Sequence, residues 1–251
     1  MVDAELGRVL MSFDCPLQVL GDPAQLPPIQ GAGFFTNAEP DAMLTEVHRQ
    51  AQDDPIVRMS MDVREGRDLD IGRYGESEVI SRSELDPSRV MDADQVLVGR
   101  NNTRRSYNMR FRQRQNIEDP LPVAGDKLVC LRNNRKKALF NGGLWRVKSR
   151  AASKSKIITM RLSPDEEFAH KVTKVSVRQD CFAGGIEDIP WEQRKPYDEF
   201  DYGYVLTVHK SQGSQWDDVV LFDESFAFQD SRARWLYTGI TRAAKRLSVV
   251  V

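Results

Sequence analysis

The sequence predicts an α/β protein built on a parallel sheet with helices on both faces, interrupted by a small antiparallel barrel. Two observations carry that expectation. Strand-like apolar runs alternate with helix-like segments near both ends of the chain: DQVLVGR (94–100) leads into NTRRSYNMRFRQR (102–114), and DDVVLFDES (217–225) leads into a Trp-containing helix at 231–243. Between 120 and 196 the pattern changes to short alternating, β-branched runs, GDKLVCLR, GGLWRVKS, KIITMRL and KVTKVSV, separated by Gly, Asn, Ser or Pro. That is the signature of a small antiparallel barrel set into the layered part.

The remaining elements follow in order. Residues 4–13 have helical spacing, with Leu6, Val9, Leu10 and Phe13 on one face. LQVL (17–20) reads as a short buried strand, ended by the Gly-Asp-Pro turn of VLGDPAQLPPI (19–29). After a Gly-rich aromatic connection, GAGFF (31–35), MLTEVHRQ (43–50) reads as a short strand or helix start. Residues 54–66 form a helix entered at Asp54-Pro55, because Pro is tolerated in a first helical turn. YGYVLTVHKSQGS (202–214) resumes the α/β part, and RLSVVV (246–251) closes it as a strand.

Composition bounds the class. With 251 residues, 40% hydrophobic and 29% charged, the chain is long enough for two compact domains or one domain with an insertion. No apolar run approaches the roughly 18–20 residues that span a bilayer, and MVDAELGRVL has neither the basic start nor the small-residue cleavage site of a secretory signal. Cys15, Cys130 and Cys181 are odd in number and far apart, which argues against a disulfide framework or a zinc site. The expected location is cytoplasmic.

The net charge of −1 hides an asymmetry: residues 100–156 hold sixteen Lys or Arg against three Asp or Glu, so +13, and the rest of the chain carries −14. Such a block is either the footprint of a nucleic-acid contact or a solvated basic surface. In TVHKSQGSQWDDVVLF (207–222), Thr207, His209, Ser211 and Gln212 follow a strand and face the cleft where ligands of parallel sheets bind, or else cap and fill a turn. In RWLYTGITRAAKRL (234–247), Trp235, Leu236 and Ile240 space as a helix core. Arg242, at the far end, either completes the helix C-terminus or reaches a transferring phosphate.

Taken in order, GDPAQLPPI, LTEVHRQ, LTVHKSQGSQWDDVVLF and YTGITRA resemble motifs III, IV, V and VI of superfamily 1 helicases of the RecD-like and Dda-like branch. The resemblance implies RecA-like folds, ATP and Mg²⁺ as cofactors, and movement along single-stranded DNA from 5′ to 3′. It places Gly21, Asp22 and Gln25 on the nucleotide, with Gln25 sensing the γ-phosphate. Arg49 and Arg242 fall on the motif IV and motif VI arginines facing the same phosphate, and Gly213 and Gln215 fall beside the nucleotide. Many relatives have Glu where this chain has Gln215. Thr207 and His209 fall where the family contacts the DNA backbone, with Arg100 and Asn102 as further contact candidates. By the same resemblance, residues 1–37 are the tail of a first RecA-like domain. The second comprises 38–119 and 197–251, and the 120–196 segment is an SH3-like barrel inserted in it, whose FNGGLWRVK (140–148) brings Trp145 either to a strand channel or to the core.

A phosphate loop needs a Gly-rich turn ending in Gly-Lys-Ser/Thr, and no Gly-Lys pair occurs in these residues. The family's Mg²⁺-binding Asp-Glu runs through Ser into Met-Val-Asp, and this chain begins Met1-Val2-Asp3. The expectation is an N-terminally truncated helicase portion, through an internal start or a real fragment. It would be inactive alone and would need the missing N-terminal RecA-like half in cis or in trans. The alternatives are a non-catalytic nucleic-acid or protein-binding module derived from a helicase, or a remnant.

Overall fold

A computed structural model describes residues 2–28, 33–36, 38–43, 53–152, 155–165, 172–184 and 186–251. The segment 44–50, and with it Arg49, lies outside the described residues. In chain order the elements are α1 (Ala4–Met11), α2 (Pro55–Arg64), β1 (Gly72–Tyr74), β2 (Ser77–Ile80), α3 (Pro87–Asp92), β3 (Gln95–Val98) and α4 (Asn101–Arg114). Four strands follow, β4 (Lys127–Cys130), β5 (Leu144–Arg150), β6 (Ile157–Pro164) and β7 (Thr173–Arg178), then the short helices α5 (Asp180–Ala183) and α6 (Trp191–Arg194). The chain closes with β8 (Phe200–Tyr202), β9 (Val205–Thr207), α7 (Val208–Ser211), β10 (Trp216–Phe222), α8 (Arg232–Ile240) and β11 (Ala243–Val250). None of the described helices is long and apolar enough to cross a membrane.

The chain divides into two compact units, Met1–Arg100 with Thr207–Val251, and Asn101–Leu206. In the first, β1, β2, β11, β10 and β3 lie side by side in that order. The pairs β2–β11, β11–β10 and β10–β3 are parallel, and the β1–β2 hairpin is antiparallel. A parallel sheet covered on both faces is apolar throughout; Val96, Leu97, Val98, Val219, Val220 and Leu221 are buried accordingly. Helix α8 approaches this sheet closely because position 239 is Gly: a Cβ there would lie 2.8 Å from a Leu221 methyl. Helix α2 starts where expected, with Asp54 capping the amides of Ile56 and Val57.

The expected strand at 17–20 is not formed. Residues 12–22 carry no regular structure, and Leu17, Val19 and Leu20 are 46, 48 and 88% exposed. A strand needs a neighbouring edge to take its N–H and C=O groups, and none of the described residues offers one here. Only α1 of this stretch is built: Asp3 caps it, and Gly7 lets the Phe34 ring lie against it.

In the second unit, β7, β6, β5, β4 and β8 form an antiparallel sheet in that order. Its last strand lies beyond residue 196, and a parallel bridge between Val177 and Asp198 brings β7 to the segment that leads into β8. Trp145 is buried in the core of this sheet, 5% exposed, so it presents no stacking surface. Half of the basic block is paired: Arg104, Arg112, Lys127, Arg132, Lys137, Arg146 and Arg150 pair with acids of the same unit, and Arg100 pairs with Glu224. Eight of the sixteen cations of residues 100–156 are therefore held in ion pairs.

One of these pairs is fully buried. Arg112 and Asp126 are 1% and 0% exposed, and Arg112 Nε donates to Asp126 Oδ1 at 3.2 Å. The Tyr204 hydroxyl and the Val123 amide donate to the same carboxylate at 2.8 and 2.7 Å, and Arg112 also donates to the Leu121 carbonyl. Its guanidinium stands 4.5 Å from the Tyr202 ring centroid. Removing one partner leaves an uncompensated buried charge. Asp126→Ala is expected to lower stability by about 3–5 kcal/mol in urea unfolding; a loss under about 1 kcal/mol would show that the pair contributes nothing.

Candidate functional site

The turn that follows the exposed 12–20 stretch is ordered by its own Asp. Asp22 Oδ1 accepts from the Ala24 amide at 2.9 Å and the Asp22 carbonyl accepts from the Gln25 amide at 3.1 Å, which together curl residues 22–25. Asp22 Oδ2 then faces two donors, Gln25 Nε2 at 3.4 Å and the Tyr237 hydroxyl at 2.8 Å. Next along the chain, both main-chain groups of Leu26 are taken by side chains. Its amide donates to Thr238 Oγ1 at 2.9 Å, and its carbonyl accepts from Gln212 Nε2 at 3.0 Å. Leu26 itself is buried. Burial, with the Asp22 hydrogen bond and charge, pushes the Tyr237 hydroxyl up to about 12, so it remains a donor at neutral pH.

Arg242 stands just past the end of α8. Its Nε donates to the Thr238 carbonyl, one of the orphan acceptors of the last turn, at 3.0 Å. One terminal nitrogen donates to the Ser214 carbonyl at 3.1 Å and the other to Thr241 Oγ1 at 3.0 Å. Desolvation lowers its pKa, while Tyr237 and Asp22 act in the opposite direction. The Ser214 bond ties α8 to the turn at Gly213, whose φ of +86° is a conformation that suits Gly. Thus Asp22, Gln25, Gly213 and Arg242 are gathered around the end of α8. Gly21 and Gln215 are exposed at the margin.

A second group lies around the segment 224–231. Thr207 is nearly buried, and its hydroxyl caps α7 by accepting from the Lys210 amide, so the hydroxyl is engaged in the fold. Ser211 is likewise buried and bonded to the Val208 carbonyl. The His209 ring packs 5.4 Å from Phe228, which stacks on Trp235. Arg100 is pinned by Glu224: Nε and a terminal nitrogen reach Oε1 at 2.9 and 2.7 Å, while Oε2 accepts from the Gly99 and Arg100 amides. Asn102 is exposed on α4 of the other unit. Sequence reasoning missed Tyr237, Thr238, Glu224 and Phe228. The signal for the first two was present in YTG next to Arg242, whereas nothing in the sequence marks Glu224 as the carboxylate that holds Arg100.

Thr238→Val removes the acceptor for the Leu26 amide and is expected to cost about 1–3 kcal/mol of stability; an unchanged urea midpoint would show that the contact is not made. Burial also holds the His209 imidazole below its ordinary value of 6.5. The folded state then resists a proton that the unfolded chain accepts, so this contribution is present above about pH 6.5 and is lost as pH falls through the folded value. The stability of the parent chain is expected to fall more steeply between roughly pH 7 and 5 than that of His209→Gln. Equal slopes would contradict the half-buried placement of His209.

Comparison with known proteins fits this arrangement. A family model described as the UvrD-like helicase C-terminal domain matches residues 202–250, the stretch that carries Thr207, His209, Gln212, Gly213, Tyr237, Thr238 and Arg242. Among curated proteins the chain is similar to an ATP-dependent RecD2 DNA helicase of Deinococcus radiodurans, 24% identical over 242 residues that cover 91% of this chain and 31% of the relative. Among solved structures it is similar to the Pif1 helicase of Candida albicans, with TM-score 0.54 and 16% identity, covering 92% of this chain and 62% of that one. It is also similar to a Bacteroides Pif1 helicase solved with ADP-AlF3 and ssDNA, with TM-score 0.50 and 15% identity, covering 91% and 60%. The chain thus spans about a third of the curated relative and three fifths of the solved ones. The match over 202–250 and the similarity to a RecD2 helicase support the resemblance of this chain to the C-terminal region of superfamily 1 helicases of the RecD-like type.

Proposed function

We propose that this chain supplies the C-terminal portion of an ATP-driven DNA helicase that moves 5′ to 3′ on single-stranded DNA. The observation that carries the reading is the fastening of the Asp22–Leu26 turn to Gln212, Tyr237 and Thr238 beside Arg242. It joins four of the residues that the motifs single out into one polar site. The relatives supply the context: one is by name an ATP-dependent DNA helicase, and one was solved with a nucleotide analogue and ssDNA.

The residues present fit the γ-phosphate side of ATP. Gln25 offers a neutral amide, and Arg242 offers a desolvated guanidinium that uses three N–H groups on Thr238, Ser214 and Thr241. A guanidinium has five, so two remain for an anion among the described contacts. Arg49 adds a second cation by motif. Bound ATP supplies the phosphoanhydride whose cleavage drives movement; the chain's own part is to orient the terminal phosphate and to neutralise charge that develops during transfer. The sequence has no Gly-Lys pair for a phosphate loop, and the described residues hold no group of three or more His, Cys, Asp or Glu suited to a metal. In this reading an N-terminal RecA-like half, in cis or in trans, contributes the phosphate loop and the Mg²⁺ ligands. The proposed layout is 1–37 as the tail of that half, 38–119 and 197–251 as the second RecA-like domain, and 120–196 as an SH3-like barrel insertion. Thr207, His209, Arg100 and Asn102 lie toward the DNA, and the protein works in the cytoplasm.

The second reading is a binding module without catalysis. One experiment separates them. The purified 251-residue chain is expected to show no ssDNA-stimulated ATP hydrolysis. Hydrolysis is expected to appear when a polypeptide bearing the N-terminal half is added, and Arg242→Ala is expected to reduce it about 10^3- to 10^5-fold. Robust hydrolysis by the chain alone would overturn the division of labour. DNA binding that stays indifferent to ATP after the half is supplied would favour the module.

A further inference from the structure

Resting on the single-strand-binding reading above, we infer that Phe226, backed by Arg100, is a platform on which a nucleobase of single-stranded DNA stacks. Phe226 is 65% exposed, among the most exposed large apolar side chains described, yet it sits in the segment that also carries the buried Ser225 and the half-buried Phe228, whose ring lies against His209. The Arg100 guanidinium stands 5.5 Å from its ring centroid, itself about half exposed.

What sets this pair apart is how Arg100 is held. Glu224, 7% exposed, accepts the Gly99 and Arg100 amides with one oxygen and the Arg100 guanidinium with the other. Gly at position 99 lets Glu224 come so near, since a Cβ there would fall 2.8 Å from both the Glu224 Cβ and the Phe228 ring. The guanidinium is therefore fixed in place by a carboxylate fastened to the backbone, and its charge is already balanced. A balanced cation makes a weak phosphate ligand. It still offers a flat, polarisable surface beside an exposed ring, the combination that binds unpaired bases by stacking and cation–π contact. A phosphate-gripping role, by contrast, calls for an uncompensated Arg or Lys.

The ligand class follows from the chemistry. Every base has a π-face, so stacking tolerates any sequence, and duplex DNA keeps its bases inside the helix where a protruding Phe cannot reach them. His209 packs on Phe228, two residues along, so the platform adjoins the residues proposed to follow the strand.

The test is fluorescence anisotropy of the full 251-residue chain with labelled oligo(dT) and with an abasic oligonucleotide of equal length. Phe226→Ala is expected to weaken oligo(dT) binding about 5- to 150-fold. It should leave abasic affinity and the salt dependence unchanged, because no charge is removed. Phe226→Trp is expected to retain oligo(dT) affinity, which separates stacking from a general loss of structure. Equal weakening on both oligonucleotides, or no weakening on oligo(dT), would overturn the platform while leaving the single-strand reading intact. Failure of the parent chain to bind oligo(dT) at all would overturn that reading and the platform with it.

Discussion

Both hydrogen-bonding groups of the Leu26 main chain are held by side chains, the amide by Thr238 and the carbonyl by Gln212. The arrangement of the candidate nucleotide site depends on this bracket. Buried main-chain groups must find partners, and here the partners come from the two motifs that flank β10. The bracket therefore sets the turn at Asp22–Gln25 against the end of α8, where Tyr237 meets Asp22 and Arg242 ties the Gly213 turn to the helix. Three otherwise separate stretches of sequence become one polar surface because a single buried residue cannot leave its amide and carbonyl empty.

Much of the layered part was legible in the sequence, and for a physical reason. The strand at 95–98 and the second halves of the strands at 216–222 and 243–250 are buried, so they read as mainly apolar runs, and α2 announces itself through Asp54-Pro55. The stretch 17–20 has the same apolar character without a sheet edge beside it. Composition speaks for burial, but burial needs a partner that composition does not supply. The hairpin β1–β2 was missed because its residues, GRY and SEVI, mix polar and apolar types without a clean period.

The site was legible in its parts and not in its connections. The motifs named Asp22, Gln25, Gly213 and Arg242, yet nothing local says that Tyr237 would donate to Asp22, more than two hundred residues away. Charge was the least reliable guide. The basic run from 100 to 156 left a nucleic-acid contact and a solvated surface open, and ion pairs with Asp165, Asp198, Glu199 and Asp201 take up five of its sixteen cations. Residues distant in sequence cancel what a local count displays. Arg242 shows a related ambiguity resolved by geometry: it completes the C-terminus of α8 and also faces the turn at Asp22, so the structural and the chemical readings of one arginine coexist.

The most direct measurement is residue-resolved amide hydrogen exchange across residues 12–28 of the intact chain. The Leu26 amide, bonded to Thr238 and buried, should exchange far more slowly than the amides of Leu17 to Leu20, which lie in the same stretch but are exposed. That contrast would establish that the turn is fastened to Gln212, Tyr237 and Thr238. Exchange at Leu26 as fast as at Leu17 to Leu20 would mean that the bracket does not hold in solution, and the site built upon it would fall.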